Sequence, residues 1–210
     1  MSHTEEKVKI ETLFPIPLYK TFREIKEKEI KFIEKNKEAQ NNFETDKHII
    51  SSDNYILDNE ELKDLKNDLN FIINDYFNKI FGVDKNNLIT PYITQSWLNW
   101  TKLEGSHYKH YHTNSILSGV IYIKADEKYD GIVFENPIKE FFRINYDDSS
   151  IFSKRSMMVP VSTGMVILFP SWLSHGVNLK FNGDIRISLA FNVFIKGTIG
   201  LDIALTELKL

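Results

Sequence analysis

The chain has 210 residues, enough for one compact domain with a helical extension and too few for two full domains. It contains no cysteine, which excludes disulfides, thiolate zinc sites, iron–sulfur clusters and cysteine nucleophiles, so any metal must be held by His, Asp, Glu or Asn. The net charge of −3 argues against nucleic-acid binding through bulk charge. With neither a long apolar span nor a signal-peptide core, the sequence reads as a soluble intracellular protein, without a membrane partner.

Residues 10–22 read as extended, because Pro15 and Pro17 block a helix; Ile16, Leu18 and Phe22 are expected to reach a core. Residues 23–40 are rich in Lys and Glu with sparse apolar positions (Ile25, Phe32, Ile33), a modest helix signal. The polar stretch 41–55 reads as a loop. A stronger helix follows. Asp58 and Glu61 have the spacing of a capping box, Leu62, Leu65, Leu69, Ile72, Ile73, Tyr76, Phe77 and Ile80 recur at three- and four-residue steps, and Gly82 suits a C-terminal cap.

From residue 88 the pattern changes to short apolar runs separated by Gly, Pro, Asn and Asp. Strands are expected at 90–101, 117–124, 131–135, 140–146, 157–161, 164–169 and 185–195. The expected fold is mostly β with N-terminal α-helices. A single domain would divide into an N-terminal strand and helical support (10–87), a jelly-roll core (88–196) and a C-terminal tail (197–210).

Three of the six histidines fall in "HYKHYH": His107, His110 and His112. On an extended chain residues i and i+2 share a face, so His110 and His112 point together and His107 points away. His175, in "FPSWLSHGV", lies between two expected strands. A strand-borne pair and one distant His on the opposite lip of a barrel make a three-ligand metal site with open positions, as in non-haem iron(II) oxygenases. The pair alone fits equally well an accidental arrangement on a strand, and His107 and His48 read as structural. Arg186 follows eleven residues after His175, with Ser188 on the same face of an apolar strand. An Arg facing inward there needs an anion, and its planar fork suits a carboxylate.

In order, the blocks "HYHTNSILSGVIYI", "GIVFENP", "GMVILFPSWLSHGV" and "RISLAFN", with "TLFPIPLY" and "SWLNWTKLEG" before them, resemble the 2-oxoglutarate/iron(II)-dependent oxygenases known from marine bacteria and their phages. The resemblance spans roughly residues 10–196. It implies a double-stranded β-helix, an Fe(II) centre, 2-oxoglutarate as co-substrate and O2 as partner. It implies His110, His112 and His175 as metal ligands, and Arg186, Ser188, Asn99 and Tyr122 as co-substrate contacts. The superfamily's usual second ligand is a carboxylate, where this chain has His112; Asn114 and His107 are the nearby alternatives.

The function so implied is a dioxygenase, by default a hydroxylase, acting on a protein side chain or a small metabolite. The rival readings are a cupin-like three-His metalloprotein without 2-oxoglutarate, which has no need of Arg186 and Ser188, and a non-catalytic jelly-roll module. The mouth is expected beneath loops 41–56 and 136–156, with Trp97, Trp100 and Trp172 supplying core packing or flat apolar surface. A cytoplasmic location (the host cytoplasm for a phage protein) and a homodimer through the N-terminal helices complete the expectations.

Overall fold

The structure is a computed structural model that describes residues 10–36, 47–83, 89–138 and 151–210. Strands β1 (Tyr19–Phe22), β2 (His48–Ile50), β3 (Ile89–Thr101), β4 (His107–His110), β5 (Leu117–Lys124), β6 (Gly131–Glu135), β7 (Ser156–Pro160), β8 (Met165–Pro170), β9 (His175–Val177), β10 (Arg186–Ile199) and β11 (Leu208–Lys209) accompany helices α1 (Glu27–Lys35) and α2 (Lys63–Phe81). The larger sheet runs β1-β8-β5-β10-β3-β2, with β11 on the far end of β10, and the smaller runs β4-β9-β6-β7. All named pairings are antiparallel. The two sheets form the expected double-stranded β-helix.

The period-two alternation of β3, β5 and β10 divides the larger sheet into two faces. Leu98, Trp100, Ile121, Ile123, Ile187, Leu189 and Phe191 face outward and are buried in one cluster with Leu65, Leu69, Ile72, Ile73, Tyr76 and Phe77 of α2. Each such side chain contributes about 1.5–3 kcal/mol by leaving water, and the stripe on α2 fixes the helix to the sheet. The inner face joins a second cluster, in which Ile167 and Phe169 meet Ile132 and Phe134 of the smaller sheet.

Several local expectations are corrected. Asp58 and Glu61 form no capping box: two 3-10 turns occupy 56–58 and 60–62, α2 starts at Lys63, and Asp58 instead accepts a bond from Lys66 Nζ at 2.6 Å. Gly82 does end α2, in the left-handed conformation at φ 63°. Phe22 is exposed, because β1 is the outermost strand of its sheet, and Ile16 is also exposed. The helix expected over 23–40 spans only Glu27–Lys35, and the loop expected over 41–55 contains β2. The strand expected at 140–146 lies outside the described residues.

A polar link ties the N-terminal layer together. Glu29, fully buried on α1, accepts two bonds from the Arg23 guanidinium, Nη2 at 2.7 Å and Nη1, and one from the Lys26 N–H at 2.8 Å. Arg23 Nε donates to Asp68 of α2 at 3.0 Å. No helix among the described residues is long and apolar enough to cross a membrane.

Candidate functional site

The smaller sheet brings two of the histidines together. His110, the last residue of β4, is the register partner of His175, the first of β9. His112 lies beyond the end of β4, and its N–H donates to Ser171 O at 2.9 Å, which turns the chain back over the sheet. The rings of His110 and His112 stack at 5.1 Å, and His175 stands 4.5 and 5.2 Å from them. One ring nitrogen from each of the three lies within 4.8 Å of the others. Among the described residues no carboxylate joins this group.

The hydrogen bonds of the three rings are the decisive test of whether they suit a metal. Nδ1 of His110 meets Tyr108 O at 2.9 Å, Nδ1 of His175 meets Leu173 O at 2.9 Å, and Nδ1 of His112 meets the Asn192 side-chain oxygen. A carbonyl oxygen only accepts, so each Nδ1 carries the proton and each Nε2 keeps its lone pair. Burial reinforces this by holding all three imidazoles below their ordinary pKa, His175 at about 3. Three neutral, oriented imidazoles are what a divalent first-row metal requires.

Asn192 was not anticipated. It continues the inward-facing series 186, 188, 190, 192 along β10, and Ser118 Oγ donates to its side-chain oxygen at 3.1 Å. Ser118 in turn bonds Ser171, and Ser171 bonds Ser115, at 2.9 and 2.8 Å. The period-two pattern from Ser188 was the signal that could have found it.

Behind the histidines, the inner face of the larger sheet supplies cross-strand rows. Asn99, Ser188 and Tyr122 form one row across β3, β10 and β5; His48, Thr101 and Arg186 form the next across β2, β3 and β10. All but Thr101 line the same cavity as the three histidines. The expected co-substrate residues therefore do converge. Tyr122 is buried, which pushes its phenol up to about 12.

Arg186 is 3% exposed. Its Nη2 donates to Thr101 Oγ1 at 3.0 Å and its Nη1 to Gly131 O at 3.3 Å, while Nε has no partner among the described residues. Burial pulls the guanidinium below its usual pKa, and Asp130, whose charge opposes this, is taken by Lys180 Nζ at 2.6 Å. A buried cation without a bound carboxylate is costly, so the site suits an anion. Asn99 Oδ1 is likewise buried without a partner among the described residues. The Arg186 Nε–H fits an acceptor atom of a small anionic ligand between Arg186 and the histidines, whereas Asn99 could meet such a ligand only through its Nδ2 donors.

Two expectations fail here. His107 does not point away: the register slips between His107 and His110, so the chain is not regularly extended and the two rings approach to 4.5 Å. His48, read as structural on a loop, sits on β2 and stacks on His107 at 4.6 Å. Asn114 is exposed in a turn at φ 54° and does not line the cavity. Of the tryptophans, Trp97 lines the cavity beside His112, Trp100 is core, and Trp172 is exposed.

Comparison with known proteins agrees with this geometry. Residues 95–192 match the family described as "Putative 2OG-Fe(II) oxygenase". No curated protein sequence matches. Solved structures share the fold at low identity. HygX from Streptomyces hygroscopicus, with nickel and 2-oxoglutarate bound, superposes with a TM-score of 0.57 at 11% identity, over 85% of this chain and 82% of its own. SnoK, a non-haem α-ketoglutarate-dependent carbocyclase from nogalamycin biosynthesis, gives 0.55 at 11%, over 85% and 79%. The viral collagen prolyl hydroxylase of Paramecium bursaria Chlorella virus-1, in its 2-oxoglutarate complex, gives 0.50 at 12%, over 84% and 94%. The matched segment, a little under half of the chain, holds β4 through β9 entire, the site-bearing parts of β3 and β10 and all three histidines, so the part of the chain that carries the site is similar to the 2OG-Fe(II) oxygenases, enzymes that use iron and 2-oxoglutarate.

Proposed function

We propose that the chain is a hydroxylase in which His110, His112 and His175 hold iron(II) and Arg186, Ser188, Asn99 and Tyr122 receive 2-oxoglutarate. The observation that carries this reading is the set of three Nδ1 atoms each bonded to a carbonyl oxygen, which leaves three Nε2 lone pairs in one cavity wall.

When bound, iron and 2-oxoglutarate supply oxidation of a substrate C–H bond by O2, coupled to oxidative decarboxylation of the 2-oxo acid to succinate and CO2. The protein's own part is orientation. The Tyr108, Leu173 and Asn192 oxygens keep the imidazoles in the neutral Nδ1–H tautomer. Arg186 would take the distal carboxylate through its free Nε–H, with the Ser188 hydroxyl on the same face. Trp97, Val120 and Ala190 form an apolar row across the cavity wall and limit water around the reacting groups. The substrate in this reading is a protein side chain or a small metabolite.

The test is anaerobic iron titration of the full chain followed by 2-oxoglutarate turnover in air. One iron per chain with succinate formation supports the reading. Metal binding without 2-oxoglutarate turnover would replace it with a three-His metalloprotein of another kind.

A further inference from the structure

The row beside the co-substrate pocket contains a residue from outside the segment that matches the family. His48 lies on β2, the edge strand of the larger sheet, and is 2% exposed. Its register partner is Thr101, whose partner on the other side is Arg186. The bonds follow the register: Arg186 Nη2 to Thr101 Oγ1 at 3.0 Å, and Thr101 Oγ1 to His48 Nδ1 at 2.9 Å.

Donor and acceptor roles in this chain are fixed by chemistry. A guanidinium only donates, so Thr101 Oγ1 accepts from Arg186. Thr101 is fully buried, so its own hydroxyl proton needs a partner inside the protein. His48 Nδ1 is that partner, which makes His48 the acceptor at Nδ1 and puts its proton on Nε2. This tautomer is the opposite of the one held by the three metal-facing histidines. The assignment agrees with the depressed pKa of His48, about 4, caused by burial first and the Arg186 charge second.

We propose that His48 is a positioning residue for the co-substrate: through Thr101 it fixes the Arg186 guanidinium, so that β2 completes a pocket otherwise built by β3, β5 and β10. The inference rests on the assignment of Arg186 to the 2-oxoglutarate carboxylate. Thr101 oriented by His48 offers Arg186 a lone pair and keeps its own proton away from the guanidinium. Without an acceptor at residue 48, nothing holds the Thr101 hydroxyl proton, so Thr101 is free to turn its oxygen away from Nη2 and leave the guanidinium on the long bond to Gly131 O.

The experiment is calorimetric titration of 2-oxoglutarate into the anaerobic, iron-loaded full chain, with the wild type measured first. His48→Leu removes the acceptor. His48→Asn returns an oxygen close to the position of Nδ1. Thr101→Val and Thr101→Ser remove and keep the hydroxyl. Losing a hydrogen bond to a charged group should weaken 2-oxoglutarate binding about ten- to a hundredfold in His48→Leu and Thr101→Val, with one iron per chain retained. His48→Asn and Thr101→Ser should recover most of the affinity. The double variant His48→Leu/Thr101→Val should be no weaker than Thr101→Val alone, because both break one chain. In turnover, KM for 2-oxoglutarate should rise while kcat at saturation holds, a split that general loosening of the fold would not produce. Binding by His48→Leu within twofold of a wild type that does bind overturns the inference and leaves the proposed function standing. A wild type that binds iron but no 2-oxoglutarate overturns the proposed function and this inference with it. Where the His48 variants do not fold, the Thr101 pair decides by the same criterion.

Discussion

His110 and His175 are register partners across β4 and β9, with ring centroids 4.5 Å apart. Their separation is therefore set by strand pairing and not by a loop. His112 is different in kind: it reaches the pair from beyond the strand end, held by its N–H bond to Ser171 and its ring bond to Asn192. If these are the ligands, single Ala substitutions at 110, 112 or 175 should each abolish stoichiometric iron, read by anaerobic metal analysis. Full retention in His112→Ala would remove His112 from the site.

Asn192 offers a graded test of the same centre. Outer-shell partners of metal-bound histidines typically matter 10–100-fold in affinity. Asn192→Leu should weaken iron binding by about that range, since it frees Nδ1 of His112 to rotate or to lose its proton. Asn192→Asp should tighten it, because a carboxylate on the Nδ1–H makes the imidazole a better donor and adds the negative charge this centre lacks. Competition with a chelator of known affinity measures both, and equal constants for all three proteins would deny Asn192 any role.

Much of this site was legible in the sequence, for reasons that also explain what was not. Strands 117–124 and 131–135 emerge with their bounds as expected, because alternation and flanking turn residues act locally. Arg186 and Ser188 share a face by the same period. His112 does come together with His110 as expected, though from beyond the strand end, while His107 breaks the rule. The register slip turns His107 back toward His110, and a backbone bond to Ser171 carries His112 past the strand end. Neither long-range partner leaves a trace in neighbouring residues. His48 was obscured because three residues within a polar run give no periodicity, and its burial depends on β3, some fifty positions away. The Asp58 capping box failed since tertiary packing of Ile56, Leu57 and Leu62 favoured 3-10 turns there.

Glu29 carries a stability prediction. It sits in a Lys/Glu-rich helix, yet it is fully buried against Arg23. Removing one member of such a pair leaves an uncompensated charge and costs about 3–5 kcal/mol. Glu29→Leu or Arg23→Met alone should lower unfolding stability by that order in urea denaturation. The double variant should recover part of the loss, because no charge is then stranded. Additive losses would show that the two residues act separately.

Acid should destabilise the metal-free protein through its buried histidines. His48 titrates at about 4 when folded, against 6.5 ordinarily, because burial penalises its charged form. Above pH 6.5 it is neutral in both states and exerts no pH dependence. Between 6.5 and 4 the unfolded chain takes up a proton that the folded chain refuses, so stability falls as pH falls, by at most about 1.4 kcal/mol per pH unit for one such group. Below about 4 its contribution is constant. His107 and His175, at about 2 and about 3, act with the same sign and extend the slope to lower pH. Urea midpoints between pH 7 and 4 should decline, and more shallowly in His48→Asn. A His48→Asn profile as steep as that of the wild type would mean that His48 contributes none of this slope.

The last prediction concerns Arg186 and the choice of guanidinium over ammonium. Arg186 is buried on β10, with Nη1 and Nη2 committed to Gly131 and Thr101 and Nε left for a ligand. A planar fork can serve all three directions at once, whereas an ammonium is a single point of charge on a more flexible stem. Truncating a partner of a buried charged pair costs about 2–5 kcal/mol, roughly a thirty- to several-thousandfold loss of affinity. Arg186→Ala should therefore weaken 2-oxoglutarate binding steeply, with iron binding nearly unchanged, since Arg186 belongs to the co-substrate row and not to the histidine group. Arg186→Lys should fall between, because it keeps the charge but cannot hold Thr101, Gly131 and a carboxylate together. Unchanged 2-oxoglutarate affinity in folded Arg186→Ala, measured by calorimetry, would detach the co-substrate from β10 while leaving the three-histidine centre intact.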